Sequence, residues 1–435
     1  MKPTPLDELV GRTMGSPARP LSRAAIDTWQ GAQLGRLIEY CRARSAFYRR
    51  RLAACPTAVR GLEDLAALPL TTGAELRAHG ADMVCVSQDA VARIVSLHSS
   101  GTTGPAKRLW FTEADLERTL AFFHLGMGQM VEPGEQAAIL LPGATPDSTG
   151  DLLARALERL GVASTILGLC PDPAQAARAV HTLRPAVLVG FPVQVLALAR
   201  MAVHLGLEMA PVRSVLLCSD YIPGSLAHSV RELLGAEVFS HYGTVETGLG
   251  GAVDCAAHEG CHLRESDLLV EIIDPHTTRP VMDGTWGEIV CTTLTRTGMP
   301  LIRYRTGDRG RLLPGVCGCG SAIRRLDRVQ GRIDQERTLA RGGRLALAEL
   351  DELLFALPGL LDCTAALVTA NGRDRLHVRL TTVPGQAAVV RRSALDRLTR
   401  YPSLRELPVT VDLAPGTLIQ PGKRTLEDHR ENQRS

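Results

Sequence analysis

The segment SSGTTGPAK, residues 99–107, combines hydroxyl side chains, two glycines and a lysine in one short stretch. Glycine lets a backbone come close to a ligand and turn its N–H groups inward, and serine and threonine hydroxyls add rotatable donors. Lys107 adds a positive charge. The segment follows ARIVSLH, which alternates like a strand, and precedes EADLERTLAFFHLGM, which has the pattern of a helix. These features predict a loop that binds phosphate, and the alternative is a polar connecting loop.

The loop lacks the spacing of a Walker loop, G-x-x-x-x-G-K-[ST], because Ala106 occupies the place of the second glycine. The phosphate prediction therefore rests on the residue types and their order. The candidate contacts are hydroxyls, backbone N–H groups and one ammonium, from Ser99, Ser100, Gly101, Thr102, Thr103, Gly104 and Lys107.

Cysteine and histidine are concentrated in two short segments. DCAAHEGCHLRE holds two of each, and GVCGCG holds two further cysteines: Cys255, His258, Cys261, His262, Cys317 and Cys319. Thiolate and imidazole ligands in this number suit tetrahedral Zn²⁺. The alternative is a pair of loops with reduced cysteines and solvated histidines. Other cysteines are scattered in apolar segments, and we expect them to be small core residues, as at Cys85, Cys218 and Cys291.

The composition is that of a globular protein with more than one domain. The chain has 435 residues, 45% hydrophobic and 22% charged, and one hydrophobic core rarely serves so many residues. Its 49 basic and 46 acidic residues give a formal net charge of +3, which does not indicate a nucleic-acid partner. The N-terminal residues lack an apolar signal segment, and the most apolar stretch, PAVLVGFPVQVLALA, is shorter than a membrane span. We expect a cytoplasmic protein without a membrane partner.

The elements that must position the candidate residues follow from hydrophobic patterns. From about residue 135, short apolar runs (AAILL, ASTIL, AVLVG, SVLLC and AEVFS) alternate with helical patterns such as DLLARALERL and PAQAARAVHTL. This alternation predicts a largely parallel sheet covered by helices, with ligands at the carboxyl ends of its strands. After about residue 270 the pattern becomes β-rich, and the last hundred residues mix strand-like and helix-like segments. We predict a large α/β N-terminal domain with mainly parallel sheets and a β-rich subdomain, followed by a small α+β C-terminal domain.

The segment AQLGRLIEYCRARSAFYRRRLAA predicts one basic amphipathic helix near the N-terminus. A basic helix can bind a membrane surface. We favour a helix packed on a core, because apolar residues recur at helical spacing at Leu34, Leu37, Ile38 and Cys41.

Six segments, in order, resemble motifs of the adenylate-forming superfamily, which includes acyl-CoA synthetases, luciferases and peptide-synthetase adenylation domains. The phosphate loop is the first, followed by HYGTVET (241–247), GEIVCTTL (287–294), YRTGD (304–308), GRID (331–334) and PGKR (421–424). FYRRRL, LPLTTGAEL, TLTRTGMPLIRYRTGD and RLLPGVCGCG further resemble the phenylacetate-CoA ligase branch. The resemblance implies an N-terminal AMP-binding domain over residues 1–333 and a mobile C-terminal domain over residues 334–435.

The resemblance also implies roles for matched residues around a nucleotide. The phosphate loop would hold the β- and γ-phosphates of ATP. Glu246 would bind Mg²⁺, which prefers carboxylate and phosphate oxygens, and Thr244 would contact the α-phosphate. Asp308 would accept hydrogen bonds from both ribose hydroxyls, since a carboxylate is acceptor-only. The alternatives are a solvated glutamate at Glu246 and turn residues at Thr244 and Asp308.

Further matched residues complete the predicted site. Arg332 would contact ribose or phosphate, and Asp334 would be the hinge between the domains. Lys423 would be the catalytic cation of adenylation, delivered by the C-terminal domain, and the alternative is a solvated lysine. The other nucleotide-binding candidates lie in HYGTVET and in LLCSDYI, which loosely resembles an adenine-binding turn: His241, Tyr242, Gly243, Ser219, Asp220 and Tyr221.

The resemblance also implies a structural zinc at the two cysteine loops, since some relatives in this branch carry one there. The matching ligands would be Cys255, His262, Cys317 and Cys319, which leaves His258 and Cys261 spare. Whether His258 or His262 completes the site stays open at this point.

The implied function is ATP-dependent adenylation of a carboxylic acid, aryl or arylacetic by resemblance, followed by transfer to coenzyme A. The alternative is adenylation without coenzyme A, with transfer of AMP to a deazaflavin cofactor hydroxyl. A degenerate nucleotide-binding regulator is a third hypothesis, and the intact loop, Glu246, Asp308 and Lys423 argue against it. The implied cofactors and partners are ATP, Mg²⁺, coenzyme A, structural Zn²⁺ and a small carboxylic acid, with a homodimer left open.

Overall fold

The computed structural model of the chain describes residues 3–16, 20–56, 59, 61–97, 106–339, 343–370 and 373–430. The chain forms two compact units. The first contains Met1–Gln129, Arg155–Leu160 and His241–Val329, and the second contains Met130–Ala154, Gly161–Ser240 and Gln330–Ser435. The division into domains at residue 333 stays a prediction. Part of the predicted phosphate loop lies outside the described residues, namely Ser99, Ser100, Gly101, Thr102, Thr103 and Gly104.

The described helices are spread over both units. They are α1 (Leu6–Thr13), α2 (Arg23–Arg44), α3 (Ala46–Arg51), α4 (Gly73–His79), α5 (Glu113–Met127), α6 (Thr149–Glu158), α7 (Pro173–Leu183), α8 (Pro192–His204), α9 (Gly224–Leu234), α10 (Leu347–Phe355) and α11 (Ala387–Arg400). Short 3₁₀ segments lie at Leu62–Ala67, Gly80–Met83, Gln88–Ala90, Ile333–Gln335 and Pro402–Leu404.

The strands precede and follow these helices along the chain. They are β1 (Arg93–Leu97), β2 (Lys107–Phe111), β3 (Gln136–Leu140), β4 (Ala163–Ile166), β5 (Val187–Gly190), β6 (Ser214–Leu217), β7 (Glu237–Tyr242), β8 (Ala252–Val253), β9 (Cys261–Leu263) and β10 (Leu268–Ile273). The remaining ones are β11 (Gly287–Thr293), β12 (Tyr304–Gly310), β13 (Leu312–Leu313), β14 (Arg325–Leu326), β15 (Arg337–Thr338), β16 (Arg344–Leu345), β17 (Leu360–Ala370), β18 (Arg373–Thr382), β19 (Val409–Leu413) and β20 (Leu426–Asp428).

A parallel sheet forms the centre of the second unit. Its strand order is β4-β3-β5-β6-β7, and every neighbouring pair is parallel. All residues of β5 and β6 are buried, as expected for parallel strands covered on both faces. Each of the five apolar runs named above forms one of these strands, so the predicted α/β fold is confirmed.

The C-terminal residues of the second unit form a mixed sheet with two helices. The strand order is β19-β18-β17-β20, with β17 and β18 antiparallel and the two outer pairs parallel. Helices α10 and α11 pack on this sheet, and α10 also contacts α9. Arg200 of α8 donates hydrogen bonds to the carbonyls of Phe355 and Leu360. The small α+β region predicted for the chain end is therefore confirmed.

The first unit is built on antiparallel pairs. Strands β10, β11 and β12 form a three-stranded sheet, and β1 pairs with β2. The last two residues of β7, His241 and Tyr242, pair with β8, which pairs with β9, and β14 joins β9 to β13. Its strands from β10 to β14 form the β-rich region predicted after about residue 270.

The predicted basic helix is interrupted at one serine. Helix α2 ends at Arg44 and α3 begins at Ala46, because Ser45 has an extended backbone with φ −103° and ψ 126°. The Ser45 hydroxyl accepts a hydrogen bond from the N–H of Tyr48, which caps α3. The residues predicted to face a core are buried: Leu34, Leu37, Ile38 and Cys41.

Two general features of the chain concern its helices and its thiols. In the described part of the chain, no helix combines the length and the apolar character needed to cross a membrane. Cys85, Cys218 and Cys291 are buried, as predicted, and the cysteines are free thiols.

Candidate functional site

A lysine, a glutamate and a tyrosine from three separate elements meet in the first unit. Lys107 begins β2, Glu246 lies in the turn after β7, and Tyr304 begins β12. The Lys107 Nζ lies 2.5 Å from Oε1 of Glu246, and the Tyr304 hydroxyl donates to the same oxygen at 3.0 Å. Glu246 is 5% exposed. Two residues that the sequence predicted separately, Lys107 and Glu246, are thus in direct contact.

The charge of Lys107 keeps Glu246 ionised despite its burial. Burial alone would raise the pKa of the Glu246 carboxyl, but the Lys107 charge and hydrogen bond, together with hydrogen bonds from a backbone N–H and Tyr304, outweigh it, so the pKa is lowered. The result is a buried carboxylate beside an ammonium. Such a pair can bind a hard cation through the carboxylate and a phosphate through the lysine.

A second polar contact links the predicted aromatic and ribose motifs. The hydroxyl of Tyr242, the last residue of β7, donates to Oδ2 of Asp308 in β12 at 2.9 Å. Burial, followed by the Asp308 charge, raises the pKa of Tyr242, so its hydroxyl stays a donor. Tyr304 and Asp308 are both buried, and burial alternates along β12 from one to the other although the pairing with β11 is irregular between them. One face of β12 therefore carries both polar contacts.

The turn between Tyr242 and Glu246 is closed by its own hydrogen bonds. A Cβ on Gly243 would lie 2.6 Å from the carbonyl oxygen of Leu249, so a side chain does not fit there. The N–H of Thr244 donates to Thr247 Oγ1 at 2.9 Å, and the N–H of Thr247 donates to Thr244 Oγ1 at 3.3 Å. Thr244 is therefore a turn residue in this structure, and its contact with an α-phosphate stays a prediction.

His241 lies among aromatic side chains. Its ring centroid is 5.9 Å from that of Phe122 and 6.4 Å from that of Phe123. Burial, followed by the charge of Arg264, lowers the pKa of His241 to about 4, so the imidazole is neutral. Among the described residues, neither ring nitrogen has a hydrogen-bond partner. A nucleotide contact by His241 stays a prediction.

In the second unit, the predicted adenine-binding turn contacts the C-terminal residues. Oδ2 of Asp220 accepts the backbone N–H of Arg424 at 3.0 Å, and the Tyr221 hydroxyl donates to Oδ2 of Asp351 at 2.5 Å. Ser219 before them has a φ of 71°, a left-handed conformation that few residues other than glycine adopt. Lys423, beside Arg424, is exposed.

The predicted ribose arginine and the predicted hinge residue bind each other. Nε of Arg332 lies 3.0 Å from Oδ1 of Asp334, and both side chains are exposed. An exposed pair of this kind contributes about 0–1 kcal/mol to stability, so it holds the segment only weakly. The roles of Arg332 and Asp334 stay predictions.

Three cysteines and one histidine form a buried cluster in the first unit. Their ligand atoms all lie within 4.8 Å of one another, and the members are Cys255, His262, Cys317 and Cys319. The Sγ atoms of Cys255 and Cys317 are 3.7 Å apart, and Cys319 Sγ is 3.4 Å from His262 Nε2. Burial lowers the pKa of His262 to about 4, so the ring is neutral, the form that binds metals.

The structure distinguishes between the two candidate histidines. His262 belongs to the cluster, whereas Nδ1 of His258 lies 2.8 Å from Oδ2 of Asp254. Cys261 is buried on β9, outside the cluster, since alternate residues of a strand point to opposite faces. Among the residues that the structure describes, the set Cys255, His262, Cys317 and Cys319 is therefore the one that could hold a metal.

Two functional candidates were not singled out in the sequence. Tyr304 is the first residue of YRTGD, and its spacing from Asp308 places both on one strand face, a signal the sequence contains. Arg424 binds Asp351 and Asp362, which lie 73 and 62 residues away, and no local pattern marks such a contact.

Comparison with known proteins places this chain among enzymes that bind AMP. The sequence model of the family described as AMP-binding enzyme matches residues 25–295. The phenylacetate-coenzyme A ligase of Thermus thermophilus is 30% identical over 364 residues, which cover 81% of this chain and 80% of that protein. The enzyme of the same name from Escherichia coli is 29% identical over 387 residues, covering 83% of this chain and 84% of that protein.

Solved structures show the same fold. A 2-hydroxyisobutyryl-CoA ligase in the postadenylation state, in complex with 2-HIB-AMP, superposes with a TM-score of 0.80. The match covers 95% of this chain and 92% of that chain at 23% sequence identity. A benzoate CoA ligase from Burkholderia xenovorans superposes with a TM-score of 0.52 at 17% identity, covering 73% of this chain and 65% of that chain.

The Lys107–Glu246 pair predicts a pH-dependent stability difference. In wild type the pKa of Glu246 is lowered, so the pair's contribution is present above the unfolded carboxyl pKa and is lost only as pH falls through the folded pKa. In Lys107→Met, burial remains without the lysine, so the pKa of Glu246 rises and ionising it destabilises the fold. We expect the difference in free energy of unfolding between wild type and Lys107→Met to widen from pH 5 to pH 8, toward roughly 3–5 kcal/mol.

The double variant Lys107→Met/Glu246→Gln is the control for this prediction. It has no carboxyl to titrate at this position, so its gap from wild type should stay nearly constant over the same pH range. A gap for Lys107→Met that is also constant would show that the lysine charge does not determine the ionisation of Glu246.

Proposed function

This chain belongs to the family of AMP-binding enzymes, and from that premise we propose that it is an AMP-forming acid–thiol ligase. It activates a carboxylic acid with ATP to an acyl-adenylate and pyrophosphate, then transfers the acyl group to coenzyme A and releases AMP. The observation that carries the proposal is the contact of Lys107 with Glu246, whose Oε1 also accepts the Tyr304 hydroxyl. This contact brings together a cation that can bind phosphate and a carboxylate that can bind a metal. The names of the relatives favour an aryl or arylacetic acid as substrate.

The first half-reaction brings two anions together, a carboxylate and the α-phosphate of ATP. Catalysis then requires charge neutralisation and positioning more than covalent chemistry. Lys107 would bind the β- and γ-phosphates together with the loop at residues 99–104. Glu246 would hold Mg²⁺, which supplies charge neutralisation to the phosphates when bound.

The Tyr242–Asp308 contact supports ribose binding at β12. Asp308 is 8% exposed, and its carboxylate can accept from both ribose hydroxyls. The Tyr242 hydroxyl, which already donates to Asp308, keeps that carboxylate oriented. Thr244, two residues after Tyr242, would contact the α-phosphate.

Lys423 would supply the cation of the adenylation step. Charge develops on the α-phosphate and on the leaving pyrophosphate, and a lysine ammonium is a compact charge that can stabilise both. In the second half-reaction the charge develops on a carbonyl oxygen, so this lysine is not required there. The resemblance supports a hinge at Asp334, about which the C-terminal domain would rotate between the two half-reactions.

We further propose that the Cys255, His262, Cys317 and Cys319 cluster holds a structural Zn²⁺. A tetrahedral site with Zn–S near 2.3 Å and Zn–N near 2.0–2.1 Å places two sulfurs about 3.8 Å apart, and a sulfur and a nitrogen about 3.5 Å apart. The distances of 3.7 and 3.4 Å fit those values. Four protein ligands leave no open position, so the metal would join the loops at 255–262 and 317–319 and would not act on substrate.

A screen over carboxylic acids tests the proposed function. Pyrophosphate release with ATP should occur for a small set of aryl or arylacetic acids, and AMP should accumulate with thioester only when coenzyme A is present. AMP transfer without coenzyme A to a deazaflavin hydroxyl would support the alternative activity. Absence of pyrophosphate release over the whole panel would contradict the proposal.

Lys423→Ala separates the two half-reactions. We expect acyl-adenylate formation to fall by roughly 10²–10³-fold, because a preorganised cation at developing charge contributes that much. Conversion of supplied acyl-adenylate and coenzyme A to thioester should continue at the wild-type rate. Equal loss of both half-reactions would indicate a folding role, and no loss in either would exclude Lys423 as the catalytic cation.

Zinc should co-purify at about one equivalent per chain when no chelator is used. Cys317→Ser/Cys319→Ser should lose the metal and unfold several degrees lower, because a metal that binds only the folded state stabilises it by mass action. Cys261→Ala is the matched control, since Cys261 is buried beside the cluster and is not a member. Its zinc content should match wild type, and metal-free wild-type protein would rule out the site.

A further inference from the structure

The segment that carries Lys423 is attached to its surroundings on both sides of the lysine. Before it, the N–H of Gln420 donates to Oδ2 of Asp362 at 2.9 Å. After it, the N–H of Arg424 donates to Oδ2 of Asp220 at 3.0 Å. That second N–H belongs to the peptide bond between Lys423 and Arg424, so the Asp220 carboxylate holds the backbone of the lysine itself.

The Arg424 side chain fixes the same segment through two buried carboxylates. Its Nε and Nη2 lie 2.9 and 2.6 Å from the two oxygens of Asp351, and its Nη1 lies 2.7 Å from Oδ1 of Asp362. The Asp351 side chain is 0% exposed and that of Arg424 is 9% exposed. Forked hydrogen bonds of this kind fix orientation as well as distance. The guanidinium also lies over the Phe355 ring, 4.8 Å from its centroid.

The loop after β6 also contacts this segment. Asp220 lies three residues after Leu217, at the carboxyl end of a parallel strand. Its Oδ1 accepts the N–H of Tyr221 at 2.9 Å, which leaves Oδ2 directed at Arg424. Tyr221 binds Asp351, the carboxylate that also binds Arg424. Ser219, with its left-handed backbone, precedes these two residues, of which Asp220 binds Arg424 directly and Tyr221 binds it through Asp351.

We propose that Asp220 is a positioning residue for Lys423, and that it acts through the anchored peptide of Arg424. The inference rests on the proposed function, in which Lys423 is the cation of adenylation. A carboxylate that holds the adjacent N–H restricts the backbone from which the lysine side chain extends. Adenylation is sensitive to this restriction because small displacements of a catalytic group cost roughly 10²-fold in rate.

Asp220→Ala is the informative variant. Replacing Arg424 would leave Asp351 and Asp362 buried without their cation and would destabilise the fold. Asp220→Ala removes the acceptor for the N–H groups of Arg424 and Tyr221 and leaves the guanidinium with both carboxylates. We expect kcat for acyl-adenylate formation to fall roughly 10–100-fold, with an unchanged KM for ATP and unchanged thioester formation from supplied acyl-adenylate. Asp220→Asn, which keeps one acceptor oxygen, should show a smaller loss.

Glu352→Ala is the matched control. The Glu352 carboxylate accepts the N–H groups of Gly224 and Ser225 at 2.5 and 2.9 Å, so it also joins the C-terminal residues to the parallel-sheet region. Lys423 and its neighbours make none of these contacts. We expect Glu352→Ala to lower the thermal unfolding midpoint about as much as Asp220→Ala, and to keep adenylation within about twofold of wild type.

The two variants separate positioning from other roles. Equal losses of adenylation in Asp220→Ala and Glu352→Ala would show that Asp220 only docks the C-terminal residues, and would overturn the inference. A raised KM for ATP at unchanged kcat would make Asp220 a nucleotide contact and would also overturn it. Failure of the wild-type enzyme to form any acyl-adenylate would instead overturn the proposed function, and the inference with it.

Discussion

The structure depends on the pairing of buried carboxylates with cations. An ionised carboxyl that leaves water without a partner is strongly disfavoured, so each buried acid requires a defined cation or N–H donor. Glu246 has Lys107, while Asp351 and Asp362 share Arg424. Because these partners come from distant parts of the chain, each pair fixes the relation between elements that the backbone alone does not connect. The pair of Lys107 with Glu246 lies in the candidate site, and Arg424 with its two carboxylates lies next to Lys423.

Strand geometry determines which side chains reach the pairs. The period of two in β12 puts Tyr304 and Asp308 on one face, where they bind Glu246 and Tyr242. The parallel sheet of the second unit ends its strands at a common edge, and Asp220 follows β6 at that edge. Loops at the carboxyl ends of parallel strands commonly bind ligands. Here one such loop holds the C-terminal segment that carries Lys423.

The cysteine cluster likewise brings together buried side chains from distant parts of the chain, here thiols and an imidazole. Cys255 lies just after β8, His262 lies in β9, and Cys317 and Cys319 lie between β13 and β14. The antiparallel pairing of β9 with β14 puts His262 opposite Arg325 and brings these loops together. Thiolates and a neutral imidazole are the ligands that suit tetrahedral Zn²⁺, so the proposed metal would be coordinated by all four side chains.

Local patterns in the sequence determined the α/β architecture, because strand burial and helix amphipathicity depend on residues that are neighbours along the chain. The composition of the loop at residues 99–107 predicted Lys107, and the resemblance to the adenylate-forming superfamily predicted Glu246 and Asp308. Local pattern was wrong for the N-terminal helix, where Ser45 caps a new helix. Only the tertiary structure decided that His262 and not His258 joins the cysteines, that Tyr304 shares Glu246 with Lys107, and that Arg424 binds Asp351 and Asp362. These three contacts join residues that are far apart in sequence. Because hydrogen bonds and ion pairs depend on distance in space, no local pattern in the sequence reveals them.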